Sequence, residues 1–519
     1  MRPLRFRHLV TLSFLLLLLL SSQGSVALAD PGILYVAPGG NCGVVAPCYG
    51  AIQAAVDGAG SGDEIRVASG TYTGVSRRAG AEQLVYLGKT VVVRGGYSSA
   101  DWTTSDPHAN PTVLDAQRQG RVLTISGEIE PTIQGLRITG GDATGLGGYF
   151  GTDAGGGVYV ISATVTLREN LIYANDAGSS GHGGGLFLAN SDSTLWANDV
   201  YSNTAGEFGG GLFLSGGTPQ LSGNVFSGNT AISYGGGLYL EWSEALLQGN
   251  TFSSNDAGQG GGAYLYYGSW ADLEGNTFRA NGARHGGGLL LYRSHSTLSG
   301  NTISGNTGAV EGGGLWLYQS DAELDSDVIT GNSAYYGGGL YVMDSSPSLT
   351  NVALIDNQGT QNESRGIGLY ADYASLQLLH TTIARNTGGD GSGLYLTGDG
   401  SGLDSSVALT NTIVSGHNRG IVVDQGSTAT LNATLWYANS VDRAGAGTIT
   451  RSSDLFGDPA FAADGYHLTA RSTAIDAGVD GGMTSDVDGQ MRPQGSGFDL
   501  GADEYAVFVT HMPVVLKHR

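Results

Sequence analysis

Five basic side chains, Arg279, Arg284, His285, Arg293 and His295, crowd one stretch of a chain whose formal net charge is −22. Such groups could neutralise an acidic ligand or, with a shifted pKa, take a proton. Counting 26 residues on, His285 meets Glu311 and His295 meets Asp321, pairs able to tune a histidine. Simple charge pairing along a ladder explains the same pattern. A second candidate set lies near the C-terminus, where Asp486, Asp488, Asp499, Asp503 and Glu504 gather. Carboxylates in that number suit calcium, a hard cation held by oxygen ligands. The plainer account is a set of Asp–Gly turns and an Arg492–carboxylate pair. No other cofactor is implied. Nucleic acid is excluded as a partner, because phosphate contacts need a basic face.

The elements that must position these residues follow from a repeat. Ten times between Gly155 and Leu396 a Gly-rich triplet precedes an aliphatic–large–aliphatic step, as in Gly235-Gly236-Gly237-Leu238-Tyr239-Leu240. The spacing is 25 to 29 residues and mostly 26. A fixed period in this range means stacked units, none able to bury its apolar face alone. Leu238 and Leu240 share one strand face and Tyr239 takes the other. The aliphatic positions are therefore core, and Phe226, Phe252 and Phe278 fill a second inward column. Asn175, Asn203, Asn229, Asn255, Asn281, Asn306 and Asn332 recur three residues after that column. Asn suits a sharp corner because it tolerates the left-handed backbone region, and stacked amides can bond one another. Short strands between Gly and Asn corners, with no helical period, describe an all-β solenoid of about 26 residues per coil. On the order of fifteen coils fit between Glu64 and Thr450.

The outward positions form a line of their own: Tyr159, Phe187, Phe213, Tyr239, Tyr264, Leu290, Trp316, Tyr341, Tyr370 and Tyr395. Tyr266, Tyr292 and Tyr318 add a second outward line on three consecutive coils. Exposed aromatic surface of this extent marks an interaction site, and flat rings suit sugar rings or a partner protein. Tyr239, Tyr264, Tyr266, Tyr292, Trp316, Tyr318 and Tyr341 are the candidate ligand-binding residues. Aromatic stacking that only stabilises the sheet is the competing explanation.

From Gly155 to Asn386 the coil pattern resembles the right-handed parallel β-helix of the pectate-lyase-like superfamily. Its Gly-Gly-x-Leu and Phe-x-x-Asn elements are similar to the repeat of polymorphic outer membrane proteins. That resemblance implies a secreted or surface protein and, in some members, cleavage of polysaccharides by lyases or hydrolases. For a lyase, Arg284, His285, Arg293 and His295 would supply the base and the positive charge facing a uronate. For a hydrolase, Gly181-His182-Gly183 matches a family segment. The paired carboxylates that glycoside hydrolysis needs are absent as a dipeptide, and the only lysines are Lys89 and Lys517. Asp458-Pro459-x-Phe461, Tyr466-His467-Leu468, Asp486-x-Asp488-Gly489, Arg492-Pro493 and Asp499-x-Gly501-Ala502 resemble a choice-of-anchor Q module, which implies surface association.

The ends complete the organisation. Residues 1–29 read as a secretory signal, with Arg2, Arg5 and Arg7 before Leu9–Leu20 and Ala27-Leu28-Ala29 as cleavage site. No later stretch approaches a membrane helix in length and apolarity. Residues 30–64 form an N-terminal cap with an amphipathic helix over Tyr49–Ala59, and Cys42 and Cys48 close a disulfide loop there. The β-helix runs over 65–450, the anchor-like cap module over 451–505 and a tail over 506–519. The expectation is a secreted, monomeric β-helix that binds a polysaccharide or another cell-surface component without catalysis. The alternatives are a polysaccharide-degrading enzyme and a structural spacer.

Overall fold

The computed structural model describes residues 31–400, 402 and 404–506. The signal segment and the tail beyond Ala506 lie outside them. The unit beginning at Gly32 is a parallel β-solenoid of about 15 turns, built from a 29-stranded, a 15-stranded and a 7-stranded sheet. One coil shows how the sequence makes it. Gly235 takes a left-handed φ of 68° and starts the turn into the strand Leu238–Glu241. Strands Leu246–Gln248, Thr251–Ser253 and Asp256–Gln259 follow around the coil. Each pairs in parallel with its counterpart one coil on: Leu238 with Ala263, Leu247 with Leu273, Phe252 with Phe278 and Ala257 with Ala283. A Cβ on Gly237 would lie 2.5 Å from the Gly262 carbonyl oxygen, so the triplets let successive backbones touch.

Buried amides hold the corners. Asn229 Nδ2 donates to the Val200 carbonyl at 2.9 Å and to Asn255 Oδ1 at 3.1 Å. Its Oδ1 accepts from the backbone and side chain of Asn203. The left-handed residue of this corner is the one before the Asn: Gly228, Ser254, Ala280 and Gly305 have φ of 53–61°. The Asn side chain is there to bond the next coil, not to relieve backbone strain. The ladder continues past Asn332 through Asn357 and Asn386 to the buried ring of His417. A second ladder, not recognised in the sequence, runs Asn170, Asn198, Asn224, Asn250, Asn276 and Asn301. It ends on Asp327, whose Oδ1 accepts two bonds from Asn301 while Oδ2 has no partner among the described residues.

At the N-terminal end the strand Ile33–Val36 pairs with Glu64–Ala68, and helix α1 (Ile52–Gly58) buries Ile52, Ala55 and Val56. The helix is shorter than the sequence suggests because Cys48–Tyr49 is taken into a short strand. Cys42 and Cys48 are bonded. The last strand, Thr448–Phe456, extends the solenoid beyond Thr450. Residues 457–506 carry no strand and do not sit as an end cap. They lie along the side of the last coils, bonding Asn351, His380, Thr382, Arg385 and Asn411. The outer face there carries Ile355, Ile413 and Leu435, which Leu468, Leu500 and Ala502 cover. Covering it takes that apolar face out of water. No helix among the described residues is long and apolar enough to cross a membrane.

The outward aromatic line is the main correction to the sequence expectation. It is not exposed. Tyr239, Tyr264 and Tyr341 are each 3% accessible, Trp316 is 8%, and Phe187 and Phe213 are fully buried. The rings stack up the sheet, Phe187 on Phe213 at 4.9 Å and Phe213 on Tyr239 at 5.2 Å. Two flanking columns lean over them. Phe208 stacks on Tyr239 at 4.8 Å and His285 lies 4.9 Å from Trp316 on one side; Tyr318 lies 5.9 Å from Trp316 on the other. The sheet thus has a core on each face, the usual condition of parallel strands.

Burial pushes the Asp327 carboxyl up to about 7, against the lowering effect of the Asn301 bonds. A raised carboxyl binds more proton folded than unfolded, so its contribution is present at acid pH and lost as pH rises from about 4 to about 7. Asp327→Asn would complete the amide ladder. It should raise stability by about 1–3 kcal/mol at pH 8, with a smaller gain at pH 5, in denaturant melts at the two pH values. Phe213→Ala should cost about 3–5 kcal/mol, whereas Trp242→Ala, at a 57% exposed position, should shift the same melt by less than about 0.5 kcal/mol.

Candidate functional site: an exposed aromatic corner

The corner that follows the 15-stranded sheet carries the apolar rings that the sheet itself does not expose. Trp242 is 57%, Tyr267 40% and Trp270 60% accessible. The registers Glu241–Tyr266 and Tyr266–Tyr292 set Trp242, Tyr267 and Arg293 side by side on three coils. Trp242 meets Tyr267 edge-on at 4.8 Å, and its ring packs where Gly268 leaves room. The Arg293 guanidinium lies 5.9 Å from the Tyr267 ring and 5.5 Å from Tyr292. Trp270 stands 6.1 Å from His295. Half-buried Tyr266, Tyr292 and Tyr318 border this corner in a continuous row, 5.4 and 4.9 Å apart. Of the seven tyrosine and tryptophan candidates, these three alone reach solvent substantially, while Tyr239, Tyr264, Trp316 and Tyr341 are core.

Trp242, Tyr267 and Trp270 were missed because they sit outside the aliphatic–large–aliphatic step. The available signal was two tryptophans and a Tyr-Tyr pair in turns, where short polar residues are the rule. A cavity of about 510 Å³ was equally hidden from the sequence. It lies against the 29-stranded sheet, under the irregular stretch Thr104–His108, with Arg137, Glu169 and Asp199 in its wall.

The basic island does not converge. His285 precedes the Gly triplet and Arg293 and His295 follow the strand Leu289–Tyr292, so that strand separates them. Arg284 points to solvent beside half-buried His285, its neighbour on the same strand. Of the two predicted inter-coil charge pairs one forms: His285 Nδ1 lies 3.0 Å from Glu311, whereas among the described residues His295 Nδ1 accepts only the Asp321 backbone N–H at 3.2 Å and the Asp321 carboxylate accepts the Ser346 N–H. Arg293 Nε donates to Gln319. These contacts extend the coil ladder and assemble no acid–base set. His182 of the Gly-His-Gly segment stacks on Phe208 at 4.6 Å, and burial pushes its ring down to about 4, so it is a neutral core member.

The acidic candidates also separate. Asp486 accepts the backbone N–H groups of Asp488, Gln490 and Glu504; Asp499 accepts those of Asp476 and Tyr505. Glu504 pairs with Arg492 at 2.9 Å, and both side chains are fully buried. Asp486 and Asp499 thus hold backbone N–H groups, and among the described residues neither joins Asp488 in a set of ligand atoms close enough to share one ion. Asp488 turns instead to His467.

The sequence matches the family model described as right handed beta helix region over residues 112–278, 210–387 and 261–435. No curated protein matches it. Among solved structures it is similar to the mannuronan C-5 epimerase AlgE6 A-module of Azotobacter vinelandii, at 13% identity and a TM-score of 0.34, over 79% of this chain and 94% of that one. Pectate lyase Pel9A matches at 12% identity and a TM-score of 0.27, over 92% and 97% of the two chains. PfbA, a surface adhesin of Streptococcus pneumoniae, matches at 10% and 0.27, over 83% and 93%. Likenesses at this level carry no argument about what this chain does. The family match, spanning residues 112 to 435, covers more than half of the sequence, and its stacked coils are those described above: the protein belongs to the right-handed β-helix family.

Proposed function

We propose that this is an exported, surface-associated β-helix that binds a polysaccharide or another cell-surface component without turning it over. The observation that carries the proposal is the exposed corner of Trp242, Tyr267 and Trp270, continued by Tyr266, Tyr292 and Tyr318 and flanked by Arg293 and His295. Rings repeated at the coil spacing of about 4.8 Å offer flat apolar faces with polar edges, the surface a chain of sugar rings stacks on. The guanidinium adds a charge suited to an acidic sugar or carboxylate. The Cys42–Cys48 bridge and the signal-like leader support export. Attachment at a cell surface is part of the proposal on the sequence motifs alone, the Gly-Gly-x-Leu and Phe-x-x-Asn repeat and the anchor-like pattern of residues 451–505.

The lyase or hydrolase reading has less behind it, since Arg284, His285, Arg293 and His295 lie on two sides of one strand. A spacer would have no use for three exposed rings clustered on two adjacent turns. A glycan array and titration calorimetry test the proposal. The parent protein should bind at least one polysaccharide class. Trp242→Ser/Tyr267→Ser/Trp270→Ser should weaken binding about tenfold or more, at roughly 1–3 kcal/mol of lost stacking, with an unchanged melting midpoint. Release of unsaturated uronate products from a bound glycan would overturn the claim of binding without turnover. Full binding by the triple variant would remove this corner as the site.

A further inference from the structure

A second constellation lies in the segment that runs along the last coils. His467 Nδ1 is 2.6 Å from Asp464 Oδ2, and His467 Nε2 is 2.7 Å from Asp488 Oδ2. One ligand atom each of His467, Asp488 and Asp503 fall within 4.8 Å of one another. Asp503 is only 4% accessible, yet its sole hydrogen bond among the described residues is from the Leu468 backbone N–H. A carboxylate offers about four acceptor sites, so this buried group has capacity that the protein leaves unused. Arg492, close enough to be felt by Asp503, gives its hydrogen bonds to Glu504 and to the carbonyls of Asp499, Gly501 and Ala502. No ion pair with a Lys or Arg side chain reaches Asp488 or Asp503 among the described residues.

We propose that His467, Asp488 and Asp503 bind a divalent transition-metal ion, with Asp464 as the group that orients His467. A metal-bound imidazole commonly presents one ring nitrogen to the ion and hands the other N–H to a carboxylate, which is the arrangement Asp464 makes on Nδ1. One imidazole and two carboxylates suit Zn²⁺ or Mn²⁺, whereas Ca²⁺ takes six to eight oxygens. Three protein ligands leave at least one position for water. Half-exposed Asp488 gives the ion a way in, and buried Asp503 supplies the inner wall. The ion would clip the Asp464–Leu468 loop to the turn at Asp486–Gly489. Tyr466 and Val487 from these same loops, with Phe461 just before the first, cover Ala353, Ile355 and Ala384 of the solenoid. The site is thus placed to fasten the segment to the side of the coils.

The same contacts would arise if His467 were an imidazolium bridging two carboxylates with no metal, and the experiment separates the two. The full-length protein, stripped with chelator, is titrated with ZnCl₂, MnCl₂ and CaCl₂ by calorimetry and followed by thermal melts. The expected result is one Zn²⁺ or Mn²⁺ per chain and a raised melting midpoint that chelator reverses. Asp488→Asn, at a half-exposed position that leaves the packing intact, should abolish both effects, as should His467→Ala. Asp464→Asn should weaken binding about 10–100-fold without abolishing it. No stoichiometric binding, equal binding by Asp488→Asn, or a preference for CaCl₂ would each overturn the site. So would a His467→Ala loss of stability that is the same with metal and with chelator.

Discussion

Everything in this molecule depends on coils that cannot satisfy their own hydrogen bonds. A coil of about 26 residues turns several sharp corners, and each corner takes polar groups away from water. Asn229 meets that cost by binding Val200 behind it and Asn255 ahead of it. Neither partner lies within its own coil. The amide therefore works only when the next coil stands in register, and a slip of one residue would bury unpaired donors along the whole column. The same register stacks Phe226 on Phe252 at 5.0 Å and brings the glycine backbones together. Polar satisfaction and apolar packing thus select one alignment, which is how so Gly-rich a chain keeps a single structure.

Departures from that regularity are where the remaining chemistry lies. The second amide ladder stops at Asp327 because Val352 takes the next position and offers no polar side-chain atom. The corner after the 15-stranded sheet holds a polar or small residue in most coils, and bulky rings at Trp242, Tyr267, Trp270 and Tyr373 interrupt it. Beyond Phe456 the period ends and irregular chain takes over. There carboxylates bond backbone N–H groups, as a segment without a ladder must if its buried donors are to be paired.

Much of the architecture was legible because a repeat reports itself. The period, the inward aliphatic columns and the amide corners such as Asn175 and Asn203 could be read by counting, since each position recurs in the same environment. What counting could not show is what lies against an outward face. Tyr239 and Trp316 point away from the main core, as their spacing requires, yet Phe208, His285 and Tyr318 close over them. Tyr318 leans over from two positions along the same strand, while Phe208 and His285 come from the column just before the glycine triplet, whose direction is set by the left-handed turn at Gly209 or Gly286 and not by alternation. For that reason Tyr239, Tyr264, Trp316 and Tyr341 leave the candidate surface, Tyr266, Tyr292 and Tyr318 stay on it, and the turn beside them adds Trp242, Tyr267 and Trp270.

The sequence by itself determined the solenoid, its coil length, the identity of its core columns and the His285–Glu311 pair. Each of these is a one-dimensional relation, a residue and its equivalent one period away. Tertiary structure alone decided which aromatic rings meet solvent, that Arg284, His285, Arg293 and His295 fail to converge, and that Asp488 faces His467 while Asp486 and Asp499 face the backbone. These depend on chain folding across coils or back along them, over separations that no period links. Stacking carries information along the sequence; solvent exposure is a property of the assembled surface.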